Sequence, residues 1–341
     1  MDDRVTLETV AKEAGVSQST VSRVLNQPSK VNERTRRDVY AALDRHGYRP
    51  RAQVRDTDAR KYIIGVAIHD FHLSLFADLF RALEDELSPS TYDLMIINMR
   101  GERDVHAFFR NHSEYRDKID ALIAFSATLE REGADYLESI GMPVVLMQGR
   151  CQHAKSISTN NFLGGHDAAA HLLACGYQKP AFVGWRRRDH RLTARYSGFR
   201  TALEEAGIDA ATLATSYKPL SVEGGYAAAE ELFSGPATPP DSIFFACDSM
   251  AIGGLRYLRR AGVQVPGSVG VIGFDDIEAA SAVGLTTMKQ FIDRKAHMAI
   301  SYLLSRLEGA EREVDFEEVS ISPLLVQRET TEMRKNRDIP G

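Results

Sequence analysis

From Tyr62 onward the chain repeats one pattern, a short apolar run followed by a helical period, and this pattern limits the possible folds most severely. "YIIGVAI" precedes a helix expected over about 76–87. "YDLMIIN" precedes one over about 105–115, and "ALIAFS" and "PVVLM" continue the series. The rhythm then starts again. "PAFVGW", a helix over about 193–206, "ATSY", a helix over about 222–233, "SIFFA", a helix ending before Gly262, and "VGVIGF" follow in order. Strands that are apolar throughout are covered on both faces, as in the parallel sheets of α/β proteins. Two such series predict two open parallel sheets, hence two lobes with a cleft between them. The halves share this rhythm without a visible sequence repeat.

Open parallel sheets bind ligands outside the carboxyl ends of their strands. The polar residues expected there are His69 and Asp70, Asn98 with Arg100, Asn160 and Asn161, Arg195, Asp248, Asp275 and Asp276, and Gln290. Any one of them could instead be a cap or loop residue, and Asn160 and Asp248 fit that alternative because a helix follows each. The loop "WRRRDHR", residues 185–191, follows the first strand of the second series. Its three consecutive arginines, Arg186, Arg187 and Arg188, with His69 opposite, could hold an acidic ligand such as a sugar acid or sugar phosphate, since guanidinium groups match such oxygens in pairs. A solvated loop is the alternative.

The first fifty residues read differently. Thr6 can cap a helix over about 7–14, with Leu7, Val10, Ala11 and Ala14 on one stripe. Gly15 ends it and Ser17 caps the next helix, whose buried face holds Val21, Val24 and Leu25. The opposite face carries Ser19, Ser22, Arg23 and Asn26, with Gln18 at its edge. A third helix is expected from Asn32 to about His46, burying Val39 and Leu43. Two short helices joined through a glycine turn, then a third, form a helix-turn-helix unit whose second helix fits the DNA major groove. Gln18 can pair with adenine, Ser19 and Thr20 can reach base edges or phosphate, and Arg23 can reach guanine or phosphate.

Charge agrees with that division. The net charge is −5, yet residues 1–62 carry 13 Lys and Arg against 9 Asp and Glu. A basic head on an acidic body suggests that the head alone meets a polyanion. Cys151, Cys175 and Cys247 lie far apart without a CxxC, so reduced core cysteines are expected, not disulfides or a zinc site. The absence of a secretory signal or membrane-length apolar run leads to an expected cytoplasmic location.

"VTLETVAKEAGVSQSTVSRVLNQPSKVNERTRRDVYAALDRHGYRP" resembles the head of the lactose-repressor/galactose-repressor family of bacterial transcription regulators. The body resembles the same family's effector domain, which shares the periplasmic sugar-binding (type I) fold. The shared marks are "STNNFLGG", "GYQKPAFVGW", "RYSGFRTAL", "FACDSMAIGGLRYL", "VPGSVGVIGFDDIEAA" and "LTTMKQ". The resemblance implies phosphate contacts from Thr6, Ser17, Thr20, Ser22 and Asn26, and base reading by Gln18, Ser19 and Arg23. It implies an effector site of Arg195, Asp248, Asp275 and Gln290 from the second lobe, with His69, Asp70 and Phe76 from the first. It also implies a hinge helix in the linker whose leucine wedges into the minor groove. That leucine falls at Thr57 here, a poor wedge, and Val54 is the other branched aliphatic of the segment. Cys247 stands where the family often has Asn or Ser, and Asn160 stands where a carboxylate is common. The tail after Thr331 lacks a leucine heptad, so a dimer is expected and not a tetramer.

The expected organisation is a head over 1–49, a hinge linker over 50–61, a two-lobed effector and dimerisation domain over 62–331, and a disordered tail over 332–341. The expected function is a ligand-responsive repressor of transcription, binding operator DNA and a small carbohydrate-like effector, without cofactor or metal. A solute receptor and a carbohydrate-acting enzyme are the rival readings. The DNA-reading head stands against the first. The absence of P-loop, HExxH and GxSxG motifs stands against the second.

Overall fold

The computed structural model describes residues 7–26, 31–45, 62–69, 75–88, 90–149, 151, 153–185, 189–235, 238–308 and 316–332. The head is three helices: α1 (Leu7–Glu13), α2 (Gln18–Asn26) and α3 (Glu33–Arg45). Val10, Ala11, Val21, Val24, Val39, Tyr40, Ala42 and Leu43 form its own small core. Gly15 turns the chain between α1 and α2 with φ 65°, a conformation that costs glycine little. Asn32 caps α3 by accepting from the Thr35 N–H at 2.8 Å. The head touches the body through α3. Tyr40 donates to Asp117 at 3.2 Å, and the Arg116 guanidinium lies 5.0 Å from its ring centre.

The body begins with β1 (Tyr62–Ile68), α4 (Phe76–Leu87), β2 (Tyr92–Asn98), α5 (Val105–Asn111), α6 (Ser113–Arg116), β3 (Ala121–Phe125), α7 (Arg131–Ser139), β4 (Val144–Met147) and β5 (Lys155–Thr159). It continues with α8 (Asn161–Ala174), β6 (Pro180–Gly184), α9 (His190–Glu205), β7 (Ala214–Tyr217), α10 (Val222–Ser234), β8 (Ser242–Phe245), α11 (Asp248–Arg260) and β9 (Gly270–Asp275). Last come α12 (Glu278–Ala282), β10 (Thr286–Lys289), α13 (Ile292–Glu308), β11 (Glu318–Ile321) and β12 (Leu324–Val326).

These strands form two six-stranded sheets, in the orders β11-β5-β4-β3-β1-β2 and β12-β10-β9-β8-β6-β7. The first is parallel throughout, and the second is parallel except for β12, which runs against β10. β1, β3, β6 and β8 are almost wholly buried, as their unbroken apolar runs require. α4 shows how a covering helix is held. Phe76, Leu79, Leu83 and Leu87 recur at helical spacing and are all buried, each contributing about 1.5–3 kcal/mol.

The chain passes between lobes three times. It leaves the first sheet after β5, and α8 packs on α9 of the second lobe. It returns after β10, because α13 packs on α4 and beneath β3, β4 and β5. β11 and β12 then split between the two sheets.

Most expected elements occur at the expected places, with informative differences. The helix expected over 105–115 is two, because His112 leaves the helical region at φ −133°, ψ 57°. The His112 ring stacks on Phe108 at 4.4 Å, and its Nδ1 lies 3.1 Å from the Phe108 carbonyl oxygen. α9 begins earlier than residue 193, because the Asp189 carboxylate caps it by accepting from the Arg191 N–H at 3.0 Å. The crossing elements β10, α13, β11 and β12 formed no part of the expectation. The hinge linker and the tail beyond residue 332 lie outside the described residues.

Candidate functional sites: a DNA-reading face and an interlobe cleft

On the head, the Ser17 hydroxyl accepts from the Thr20 N–H at 3.2 Å and lies 2.8 Å from the Ser19 and Thr20 hydroxyls. It is the N-cap of α2, and it leaves the first turn free to meet another surface. Ser17, Gln18, Ser19 and Arg23 are exposed, while Thr20 and Ser22 are half-buried. Opposite them Val21 and Val24 are fully buried. Ser17, Gln18, Ser19 and Arg23 therefore present an exposed polar edge on a short, capped helix, the shape a major-groove reader needs. Thr6, Val54, Thr57 and the Asn26 side chain lie outside the described residues.

In the body, the strand ends converge. The six non-glycine residues with positive φ among the described residues are Arg100, Ser126, Gln148, Asp275, Asp276 and Phe291. All six lie at or just beyond the carboxyl end of a strand. Such conformations cost about 1–3 kcal/mol each and gather where function demands a fixed backbone.

A hydrogen-bonded chain runs across the floor of the cleft. Lys295, on α13, donates to the Thr159 hydroxyl, which donates to Gln290 Oε1 at 2.8 Å. Gln290 Nε2 donates to Asp275 Oδ1. Gln148 donates to the same Gln290 Oε1 at 2.6 Å. Arg195 enters from α9. Its Nε donates to Asn161 Oδ1 at 2.8 Å, its Nη1 donates to the Ala246 carbonyl, and the same nitrogen lies 3.8 Å from Asp275. The guanidinium sits 3.5 Å from the Phe274 ring centre, a close cation–π contact. Arg191 closes the lobes together. It grips Asp189 through Nε at 3.0 Å and Nη2 at 2.6 Å, and reaches Ser126 of the first lobe with Nη1 at 2.5 Å. Burial alone would raise the Asp189 carboxyl, but Arg191 holds it well below the usual carboxylate range. Burial raises Asp275, with Arg195 opposing.

Of the expected effector residues, Arg195, Asp275 and Gln290 come together. Phe76 and His69 are buried in the first lobe, Phe76 edge-on to Phe125 at 5.5 Å and His69 just past β1. Asp70 lies outside the described residues, as do Arg186, Arg187 and Arg188. Asp248 is set back from the cleft floor. It is fully buried, one oxygen accepting from the Ile277 N–H at 3.0 Å and the other from Thr287. It ties the loop after β9 to β10, so it positions Asp275 from behind. Burial and Asp275 both raise its carboxyl. Asn160 is a cap, accepting from the Leu163 N–H at 3.0 Å, and Asp276 pairs with Arg328 at 2.6 Å. Asn98 accepts from the Arg100 N–H at 2.8 Å. Cys175 and Cys247 are buried and Cys151 is half-buried, all as free thiols.

Sequence reasoning missed Gln148, Thr159, Arg191 and Lys295. Gln148 directly follows the strand "VVLM" and could have been found by its position. Lys295 interrupts the apolar stripe Ile292, Ala296, Ala299, Ile300, Leu303 of α13, a lysine where helical spacing demands a core residue.

A groove of about 200 Å³ opens between α4 of the first lobe, the end of β9 in the second and the start of α13, and Asp275 of the floor also lines it. Its walls carry Asp78, Asp85, Asp276 and Asp293 against Arg81 and Lys289. No helix among the described residues is long and apolar enough to cross a membrane.

A small DNA-reading head joined to a two-lobed ligand-binding body defines a class, the ligand-responsive DNA-binding regulators. Comparison with known proteins agrees. Residues 6–51 match "Bacterial regulatory proteins, lacI family", and residues 169–331 match "Periplasmic binding protein-like domain". The repressor PurR of Haemophilus influenzae is 29% identical over 336 residues, covering 95% of this chain and 98% of that one. The ribose operon repressor of Escherichia coli is 29% identical over 330 residues with the same coverage. Among solved structures, a lac repressor dimer bound to operator and an anti-inducer superposes with a TM-score of 0.66 at 25% identity, over 97% of this chain and all of that one. A LacI-family regulator from Enterococcus faecium with bound ribose gives 0.69 at 26% identity, over 80% of this chain and all of that one. The chain joins a lacI-type DNA-binding head to a periplasmic-binding-protein-like body, and it is a DNA-binding regulator of transcription.

Proposed function

We propose that this protein is a repressor that binds a pseudo-palindromic operator as a homodimer and responds to a small polar effector held between its lobes. The observation that carries this reading is the presence on one chain of an exposed polar α2 face and a cleft floor that gathers Arg195, Asp275 and Gln290. Gln18, Ser19 and Arg23 read base edges, and Ser17, Thr20 and Ser22, with Thr6 and Asn26, hold phosphates. His69, Asp70 and Phe76 complete the effector site from the first lobe. The protein acts in the cytoplasm, where its operator is. The head over 1–49, the hinge over 50–61 and the body over 62–331 are its working parts.

Dimerisation has a place on the outer face of the second lobe. There a groove of about 520 Å³ is lined by Ile252, Leu255, Val263, Val265 and Val283, flanked by Arg256 and Arg259. Effector binding shifts one lobe against the other at the three crossings and so alters the spacing of the two heads. Binding and not turnover is the role of the cleft, because the Asp275 and Asp248 carboxyls are already engaged by Gln290, Ile277 and Thr287.

The test is selection of duplexes from a random library by the full-length protein, followed by titration of the enriched site at several salt concentrations. A two-fold symmetric site is expected, with affinity falling steeply as salt rises, since phosphate contacts release counterions. No enrichment, or a flat salt response, would rule the reading out.

A further inference from the structure

We propose that the effector is acidic, and that its carboxylate or phosphate seats on the Lys295 ammonium and the free edge of the Arg195 guanidinium at the cleft floor. This rests on the reading of the cleft as an effector site.

Lys295 is fully buried, one of the largest fully buried side chains of the body. An ammonium carries three donors. Among the described residues, Lys295 makes one hydrogen bond, to the neutral Thr159 hydroxyl, and has no carboxylate within ion-pairing distance. Burying an ammonium without an anion is costly, and buried charges are ordinarily paired. Arg195 has the same shortfall in milder form. Its Nε and Nη1 are used, Nη2 makes no hydrogen bond, and its nearest carboxylate is 3.8 Å away. The other charges facing this floor do not make good the deficit. Arg191 and Asp189 neutralise each other, Asp248 spends both oxygens on Ile277 and Thr287, and Asp275 is shared by Gln290 and Arg195. Asp293, on the same helix as Lys295, lines the groove beside α4.

Burial and the charges of Arg195 and Arg191 pull the Lys295 amine down to about 7, with Asp275 and Asp293 opposing. A floor with two under-paired cations and at least four unused N–H donors between them is a receptor for one anionic group. Guanidinium and ammonium groups meet carboxylate and phosphate oxygens with charge-assisted bonds. A ligand anion beside Nζ would restore the lysine to its ordinary basicity, so binding above neutral pH takes up a proton.

The experiment is thermal melting and isothermal titration of the full-length protein and its Lys295→Met variant. The probes are gluconate, glucuronate and ribose 5-phosphate, each against glucose and ribose at equal concentration and constant ionic strength. At least one acidic probe is expected to raise the melting temperature of the wild type above any neutral sugar. In Lys295→Met its affinity should fall by about tenfold or more, as loss of one charge-assisted bond implies. Titration at pH 8 in buffers of different ionisation heat should show proton uptake in the wild type and none in the variant. The variant has an apolar side chain of similar length at a buried position, so it should fold, and its own melting curve verifies this. Equal affinity of wild type and variant for an acidic probe overturns the proposal. Binding of neutral sugars alone overturns it too, while leaving the effector reading intact. A panel in which no probe shifts the wild type removes both.

Discussion

Replacing Lys295 by methionine should stabilise the unliganded protein. In the unfolded chain a lysine titrates near 10.4. In the folded protein burial and neighbouring arginines lower it to about 7. Between those values the unfolded state binds more protons, so stability rises with pH from about 7 toward 10 and the full penalty is present below 7. A depression of roughly three and a half pH units corresponds to about 5 kcal/mol. Methionine removes that penalty but deprives Thr159 of a donor, which costs about 1 kcal/mol. Coupling with Arg195 and Asp275 takes back a further part, because the floor relaxes once the charge has gone, leaving a gain of about 2–4 kcal/mol. For a domain of this size that is roughly 4–8 °C in melting temperature at pH 7. The assay is differential scanning calorimetry of both proteins from pH 7 to 8.5. The difference between them should narrow by about 1.4 kcal/mol per pH unit. His166 and His171 titrate alike in both proteins and so cancel. A variant that melts below the wild type, or a difference independent of pH, would refute the reasoning and make Lys295 an ordinary neutral member of the network.

Three further outcomes are expected. Gln18→Ala and Arg23→Ala should each cost about 1–3 kcal/mol on the selected operator with little loss on random DNA, measured by fluorescence anisotropy. Equal losses on both would reduce these residues to phosphate contacts. Gly198→Ala should destabilise the second lobe by about 3 kcal/mol in urea unfolding, because its Cβ would lie 1.9 Å from the Phe162 carbonyl oxygen where α8 meets α9. Gly165→Ala, equally close to the Arg195 carbonyl, should in addition weaken effector binding, and unchanged stability in both variants would show that the helices can part freely. For the linker, which lies outside the described residues, Thr57→Leu should tighten operator binding and increase DNA bending in a fluorescence bending assay, since leucine is the better wedge. A wild type that already bends its operator strongly would contradict this.

Much of the body was legible because its evidence is local. β1, β2, β3 and β4 lie where the apolar runs "YIIGVAI", "YDLMIIN", "ALIAFS" and "PVVLM" place them, and α4 runs over the expected 76–87. The head was equally legible, because a glycine turn and the Ser17 cap act within a few residues of themselves. Arg195, Asp275 and Gln290 could be selected because the carboxyl ends of parallel strands point into a cleft whatever the loops do.

What the sequence by itself determined is therefore the set of short-range structures: which runs are strands, which stripes are helical cores, and which polar face the head presents. Only the tertiary structure decided how the lobes are joined and what the cleft floor contains. β5, β10 and β11 are short and mixed in character, and they become crossing strands only because their partners in the two sheets exist. Asp248 looked like a lining residue and is instead committed to Ile277 and Thr287 from behind the floor. Lys295 lies on a helix that the apolar runs did not reveal. It is buried because α13 returns to the first lobe and packs beneath β3, β4 and β5, which carries its amine to Thr159, 136 residues away in sequence. Charge and helical period are properties of a segment, but burial and partnership depend on contacts between segments, and no local pattern encodes those.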